Sequence, residues 1–102
     1  MSIKKQYLKS KPVCKVTFRV QKEANNGAKK IHVVGEFNEW NKDTIPMKSY
    51  KNGSFSATID LELNREYQFR YLIDGVSWRN DLDADTYVHC SYGNCENSVI
   101  IT

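Results

Sequence analysis

Long apolar runs are missing from this chain of 102 residues. No stretch approaches the roughly 18 apolar residues that a membrane-spanning helix needs, and the opening MSIKKQYLKSKP has no apolar segment of signal-peptide length. The setting expected from this is the cytoplasm, with no membrane partner. Cysteine is sparse and odd in number: Cys14, Cys90 and Cys95. That is unlike the disulfide framework of a small secreted domain, so reduced thiols are expected, Cys90 and Cys95 included. Charge of one sign is not in large excess either. Fifteen Lys and Arg against 12 Asp and Glu leave a net charge of +3, and Lys4, Lys5, Lys9 and Lys11 crowd into the first residues. The later cations are scattered, without the concentrated basic stripe of a nucleic-acid-binding domain.

Catalytic and metal-binding constellations are also wanting. Asp81, Asp83 and Asp85 alternate like calcium-loop ligands, but Thr86 and Tyr92 stand where an EF-hand needs Gly and Glu, so the expected state is a solvated loop with Asp85 capping a turn. His89, Cys90 and Cys95 fit no common zinc spacing. His32 and His89 have no paired nucleophile, and Ser91 lies in no nucleophile-elbow pattern. The length suits one domain and cannot hold a catalytic barrel of about 250 residues. The chain is therefore expected not to be an enzyme and to carry no metal or cofactor.

What the sequence does have is period-two alternation. Residues 1–12 are polar, basic and non-periodic, and read as a flexible arm. From Val13, the residues Cys14, Val16, Phe18 and Val20 alternate with polar ones, as in a half-buried strand. KEANNGAKK is a turn, Ile31 to Val34 a strand ending at Gly35, and a short strand runs through Ile45, Met47 and Tyr50. Asn52-Gly53 signals a type I′ hairpin into Phe55, Ala57, Ile59 and Leu61. Tyr67, Phe69, Tyr71 and Ile73 share one face of the next strand, with Gln68, Arg70 and Leu72 on the other. Asp74-Gly75 turns the chain into Val76–Arg79, residues 80–97 read as a long loop, and Ser98–Thr102 closes the domain. No segment keeps helical periodicity for three turns. Seven to eight short strands predict an all-β, immunoglobulin-like antiparallel sandwich over residues 13–102. Cys14, Val16, Phe18, Ile31, Val33, Phe55, Ile59, Phe69, Tyr71 and Val99 are its expected core.

Trp40 lies in a polar loop, between Glu39 and Asn41, and Phe37 is the better core candidate there. Trp78 depends on the hairpin before it. A two-residue Asp74-Gly75 loop sets Trp78 opposite Tyr71 and sends it to the core. A three-residue Ile73-Asp74-Gly75 loop sets it opposite Arg70 on the outer face. Outward aromatic rings beside amides and a cation suit sugars, which present C–H faces to an indole and a rim of hydroxyls to polar groups.

VVGEFNEWN, YQFRYLIDGVSW and YGNCENSVIIT, in that order, resemble carbohydrate-binding module family 48. That family includes the glycogen-binding domain of AMP-activated protein kinase β-subunits and the N-terminal domains of isoamylases and branching enzymes. The resemblance spans about residues 13–102 and implies an immunoglobulin-like sandwich with affinity for α-1,4-linked glucans. By the same resemblance, Trp40 and Trp78 match two sugar-stacking tryptophans, although one extra residue separates Trp78 from the Asp-Gly turn. Arg70 replaces a glucan-contacting lysine, and Tyr92 replaces a leucine that inserts into the glucan ring. Asn94 replaces a threonine, and Glu96 stands in place of a glucan-binding asparagine. Asn97 matches a neighbouring asparagine read as mainly structural. The resulting reading is a stand-alone, non-catalytic module that binds glycogen- or starch-like polymer and targets or regulates an enzyme of glycogen metabolism. The Tyr92 and Glu96 exchanges leave an alternative, a protein-interaction module of the same fold with weak or no sugar binding. A third reading, an accessory piece of a glycoside hydrolase or branching enzyme, is disfavoured by the length.

Overall fold

Strand alternation becomes two stacked antiparallel sheets in the computed structural model, which describes residues 2–25, 27–90 and 95–102. Tyr92 and Asn94, both assigned from the resemblance, lie outside the described residues. One sheet has the order β1 (Ser2–Tyr7), β2 (Val13–Val20), β5 (Phe55–Glu62), β4 (Lys48–Ser49). The other has the order β3 (Ile31–Gly35), β6 (Glu66–Ile73), β9 (Glu96–Ile101), β8 (Thr86–His89), with β7 (Ser77–Arg79) also paired to β6. A single helical turn, Lys22–Asn25, links β2 to β3. Buried Asn25 holds it by donating to Gly53 C=O at 2.6 Å.

The core sits where the inner faces meet. Cys14, Val16, Phe18 and Val20 of β2 face Ile31 and Val33 of β3 and Phe69, Tyr71 and Ile73 of β6, all within one buried cluster. Phe18, Phe69 and Tyr71 meet edge to face at 5.0–6.4 Å between centroids. Each large apolar side chain removed from water there stabilises the fold by about 1.5–3 kcal/mol. Of the expected core, Ile59 is only half-buried and packs at its margin. Val99 is buried but pairs with Gln68, which puts it on the outer side of its sheet, and Ile100 takes the core position.

Several sequence-based expectations give way to tertiary pairing. The supposed flexible arm supplies β1, whose six residues pair with β2 from Ser2↔Arg19 to Tyr7↔Cys14. Half-buried Ile3 packs on the core, and Lys5 reaches Asp85 at 2.6 Å, so the basic residues carry a strand that covers the edge of β2. The long loop contains β8, paired to β9 from Thr86↔Val99 to His89↔Glu96. Asp81 is not solvated: it is fully buried and accepts hydrogen bonds from Tyr71 Oη and the Asp83 N–H. Asp85 holds Lys5 and the Ile101 N–H and does not act as a turn cap. At Asn52-Gly53 only Gly53 has positive φ, at 87°, and Gly53 N–H donates to Tyr50 C=O at 3.0 Å. The turn is therefore the three-residue kind that ends on a left-handed glycine, not type I′. Finally, Cys90 and Cys95 are joined in a disulfide with Cα atoms 5.4 Å apart, contrary to the expected free thiols. The β8–β9 hairpin brings the two sulfurs together; the Cys90 N–H also donates to Cys95 C=O at 3.0 Å. Cys14 alone is free, and it is buried.

Candidate functional site

Gly35 begins the site by what it lacks. A Cβ there would stand 2.4 Å from Gln68 C=O and 2.7 Å from Phe69 Cβ, so only glycine lets β3 lie this close to β6. The chain then leaves the sheet through one 3-10 turn, Glu36–Asn38. Phe37 drops onto the core, 5.9 Å from Phe18, as expected. Asn38 holds the turn from the side: its Oδ1 accepts from Gly35 N–H at 3.0 Å, and its Nδ2 donates to the C=O groups of Val33 and Asn41 at 3.3 Å. The turn closes with Trp40 N–H on Gly35 C=O at 2.8 Å. Glu39 and Trp40 both take left-handed backbone, at φ 56° and 59°. For a residue as bulky as Trp that is a strained state, held by its surroundings and typical of functional sites. Its consequence is that Trp40, half-buried, lines a groove on the outer face of the β3–β6–β9–β8 sheet.

Arg70 lies at the centre of that face. One edge of β6 pairs with β9 as far as Phe69↔Ser98 and with β7 from Tyr71↔Arg79 onward, so Arg70 falls where the two strands part. Asn80 seals the gap: its carboxamide bonds Glu96 C=O at 2.8 Å and Ser98 N–H at 3.0 Å. Beneath it, Ser98 Oγ accepts from Asp81 N–H at 2.9 Å. Burial pushes the Asp81 carboxyl above the usual carboxylate range, while the Tyr71 hydroxyl and Asp83 N–H pull it back. The Tyr71 phenol is raised well above its ordinary value, by burial first and then by Asp81. This polar cluster supports the site from below and lies outside the groove.

The hairpin register places Trp78. The loop is Asp74-Gly75-Val76, with φ of 51° and 71° at its first two residues and Ile73 opposite Ser77. Asp74 pins it by accepting from the N–H groups of Lys29 and Lys30 at 2.8 Å, and these bonds lower its carboxyl pKa. Trp78 thus stands opposite Leu72, a register that neither simple hairpin anticipated, and Arg70 is its diagonal neighbour. Parity still puts the indole on the outer face, 39 % exposed, with the Arg70 guanidinium 5.3 Å from its ring centroid.

The structure brings Trp40, Arg70, Trp78 and Asn97 to one groove of about 750 Å³, within the range of small-ligand sites. Asn97 is buried and donates through Nδ2 to Gln68 Oε1 at 2.9 Å. Two buried polar atoms there, Arg70 Nε and Asn97 Oδ1, have no partner among the described residues, which leaves one donor and one acceptor to be met. Glu36, Lys42, Gln68, His89 and Cys90 also line the groove and were not anticipated. Gln68 shares its strand phase with Arg70 and was legible from alternation; the others depend on the loop path and on β8.

No group of three or more metal-ligating side chains occurs among the described residues. Comparison with curated proteins finds no match. The family model for the glycogen recognition site of AMP-activated protein kinase matches residues 18–102, which take in Trp40, Arg70, Trp78 and Asn97 alike. The chain belongs to that family, one of non-catalytic glucan-binding modules.

Proposed function

We propose that the groove is where this module binds α-1,4-linked glucan, with Trp40 and Trp78 as stacking platforms and Arg70 and Asn97 as partners for sugar hydroxyls. The observation that carries the reading is the convergence of two aromatic rings in one groove with a donor and an acceptor that have no partner among the described residues. A sugar ring offers an apolar C–H face to an indole, and its hydroxyls can both give and take hydrogen bonds. Tyr92 and Asn94, which follow the groove-lining Cys90 in the sequence, belong to the same proposed site on the strength of the resemblance. The module would carry an enzyme of glycogen metabolism to its polymer in the cytoplasm.

Calorimetry with maltoheptaose and β-cyclodextrin tests this on the wild type and on Trp40→Ala and Trp78→Ala. Each variant should bind about tenfold more weakly, if each stack contributes on the order of 1.4 kcal/mol. Both should stay folded in thermal melts, because neither ring belongs to the buried core. No binding of either glucan at millimolar concentration would replace this reading with a protein-interaction module.

A further inference from the structure

Two cations share one ring in this groove. Lys42 Nζ lies 5.8 Å and Arg70 Cζ 5.3 Å from the Trp78 centroid. Among the described residues the ion pairs are Lys5–Asp85 and Arg65–Glu62, so neither Lys42 nor Arg70 has a carboxylate within bonding distance. Glu36 lines the same groove, but its Oε1 accepts the Gln68 N–H at 2.7 Å, which holds it to the backbone of β6. Neutral glucan hydroxyls give one cation enough to do. Two like charges beside one indole, neither paired with a carboxylate, make a positive potential that a neutral ligand leaves unanswered. An anionic ligand answers it. The guanidinium offers a planar fork that matches a phosphate edge, and the ammonium acts as a mobile point charge beside it.

Resting on the glucan-binding reading above, we propose that the groove prefers α-glucan chains bearing a phosphate monoester. The phosphate sits between Lys42 and Arg70, and the adjoining glucose units run toward Trp40. At neutral pH such an ester carries a charge of about −1.5 to −2, enough to pair with both cations. Lys42 is exposed, on the strand-free segment after Trp40, so it can move from the indole to the ester without disturbing the core.

Calorimetry on the whole chain with maltoheptaose, maltoheptaose carrying one 6-phosphate, and glucose 6-phosphate tests the proposal. In low salt the phosphorylated heptaose should bind about tenfold more tightly than the neutral one, with the advantage shrinking as added salt screens the charges. Lys42→Gln should bring the two affinities close together while the fold is kept, as read by circular dichroism. Equal affinity for the two heptaoses in the wild type, or an unchanged ratio in Lys42→Gln, would overturn the phosphate preference and leave glucan binding intact. Failure of both heptaoses to bind would overturn glucan binding itself. Glucose 6-phosphate binding as tightly as the phosphorylated heptaose would make a free sugar phosphate, and not a glucan, the ligand.

Discussion

Gly35 and Asp81 shape the structure around the groove without lining it. At Gly35 the obstacle to any side chain is backbone, since Gln68 C=O and the Phe69 Cα and Cβ all lie within 3.0 Å of where a Cβ would stand. Gly35→Ala should therefore force β3 away from β6 and destabilise the domain by about 3 kcal/mol, as overpacking and lost pairing combine. Urea unfolding measures it, and a loss below about 0.5 kcal/mol would show that the two strands can separate freely. Asp81 makes a pH statement. Its folded carboxyl pKa is raised by burial, so the folded state holds that proton more tightly than the unfolded chain does. Its contribution is then fully favourable below the ordinary carboxylate pKa of 3.8 and is lost as pH rises through the folded value. Asp81→Asn cannot titrate, so the stability of the wild type relative to this variant should fall as pH rises from about 4 toward neutrality. Unfolding curves across that range check the sign, and a difference independent of pH would contradict it. Trp40 and Asp81 also divide the residue-scale reading. A tryptophan among polar neighbours read as an exposed ring, and Trp40 lies outside the core but is half-buried in its groove, whereas Asp81 looked like one of three solvated carboxylates. Only the approach of Tyr71 and Ser98 from other strands shows it to be buried.

Element pairings account for the largest departures from the sequence reading. Strand β8 has four residues with exposure pattern exposed, exposed, half-buried, exposed, too short and too polar to alternate visibly. It exists because β9 offers it an open edge. The same pairing brings Cys90 to Cys95 across the hairpin, a proximity that cysteine counting does not address. Thiol titration of unfolded protein under non-reducing, alkylation-controlled conditions should find one thiol, Cys14, and three after reduction. Three thiols before reduction would contradict the pairing. Replacing both partners with serine should cost about 2 kcal/mol, the loop-closure entropy of so short a ring. The β6–β7 hairpin shows the same limit at finer scale. Asp74-Gly75 marked the turn correctly, but Val76 joins the loop, and the count of loop residues sets which side chains oppose each other.

At the scale of the whole molecule, the sheet that carries the groove and a second sheet close over one core, and β1 is the piece that completes the second. Removing residues 1–8 should bare the edge of β2, expose core beneath Ile3 and break the Lys5–Asp85 link between the sheets. A loss of about 2 kcal/mol is expected, lowering Tm by roughly 10 °C, with glucan affinity little changed because no groove residue lies in that segment. A truncated chain that melts like the full one would return residues 1–12 to the status of a loose arm. Period-two alternation in β2, β5 and β6 determined the all-β class and most of the core, because burial on one face of a sheet leaves its imprint on every second residue. The three short motifs determined the family. Tertiary structure alone decided the rest: that a basic terminus pairs as an edge strand, that Asp81 is buried, and that Cys90 meets Cys95. It also decided that Lys42 joins Arg70 at Trp78. The edge strand, the burial of Asp81 and the meeting of Lys42 with Trp78 depend on partners distant in sequence, and the disulfide depends on β8 pairing with β9; local pattern carries no information about which strand edge or side chain will be there to receive them.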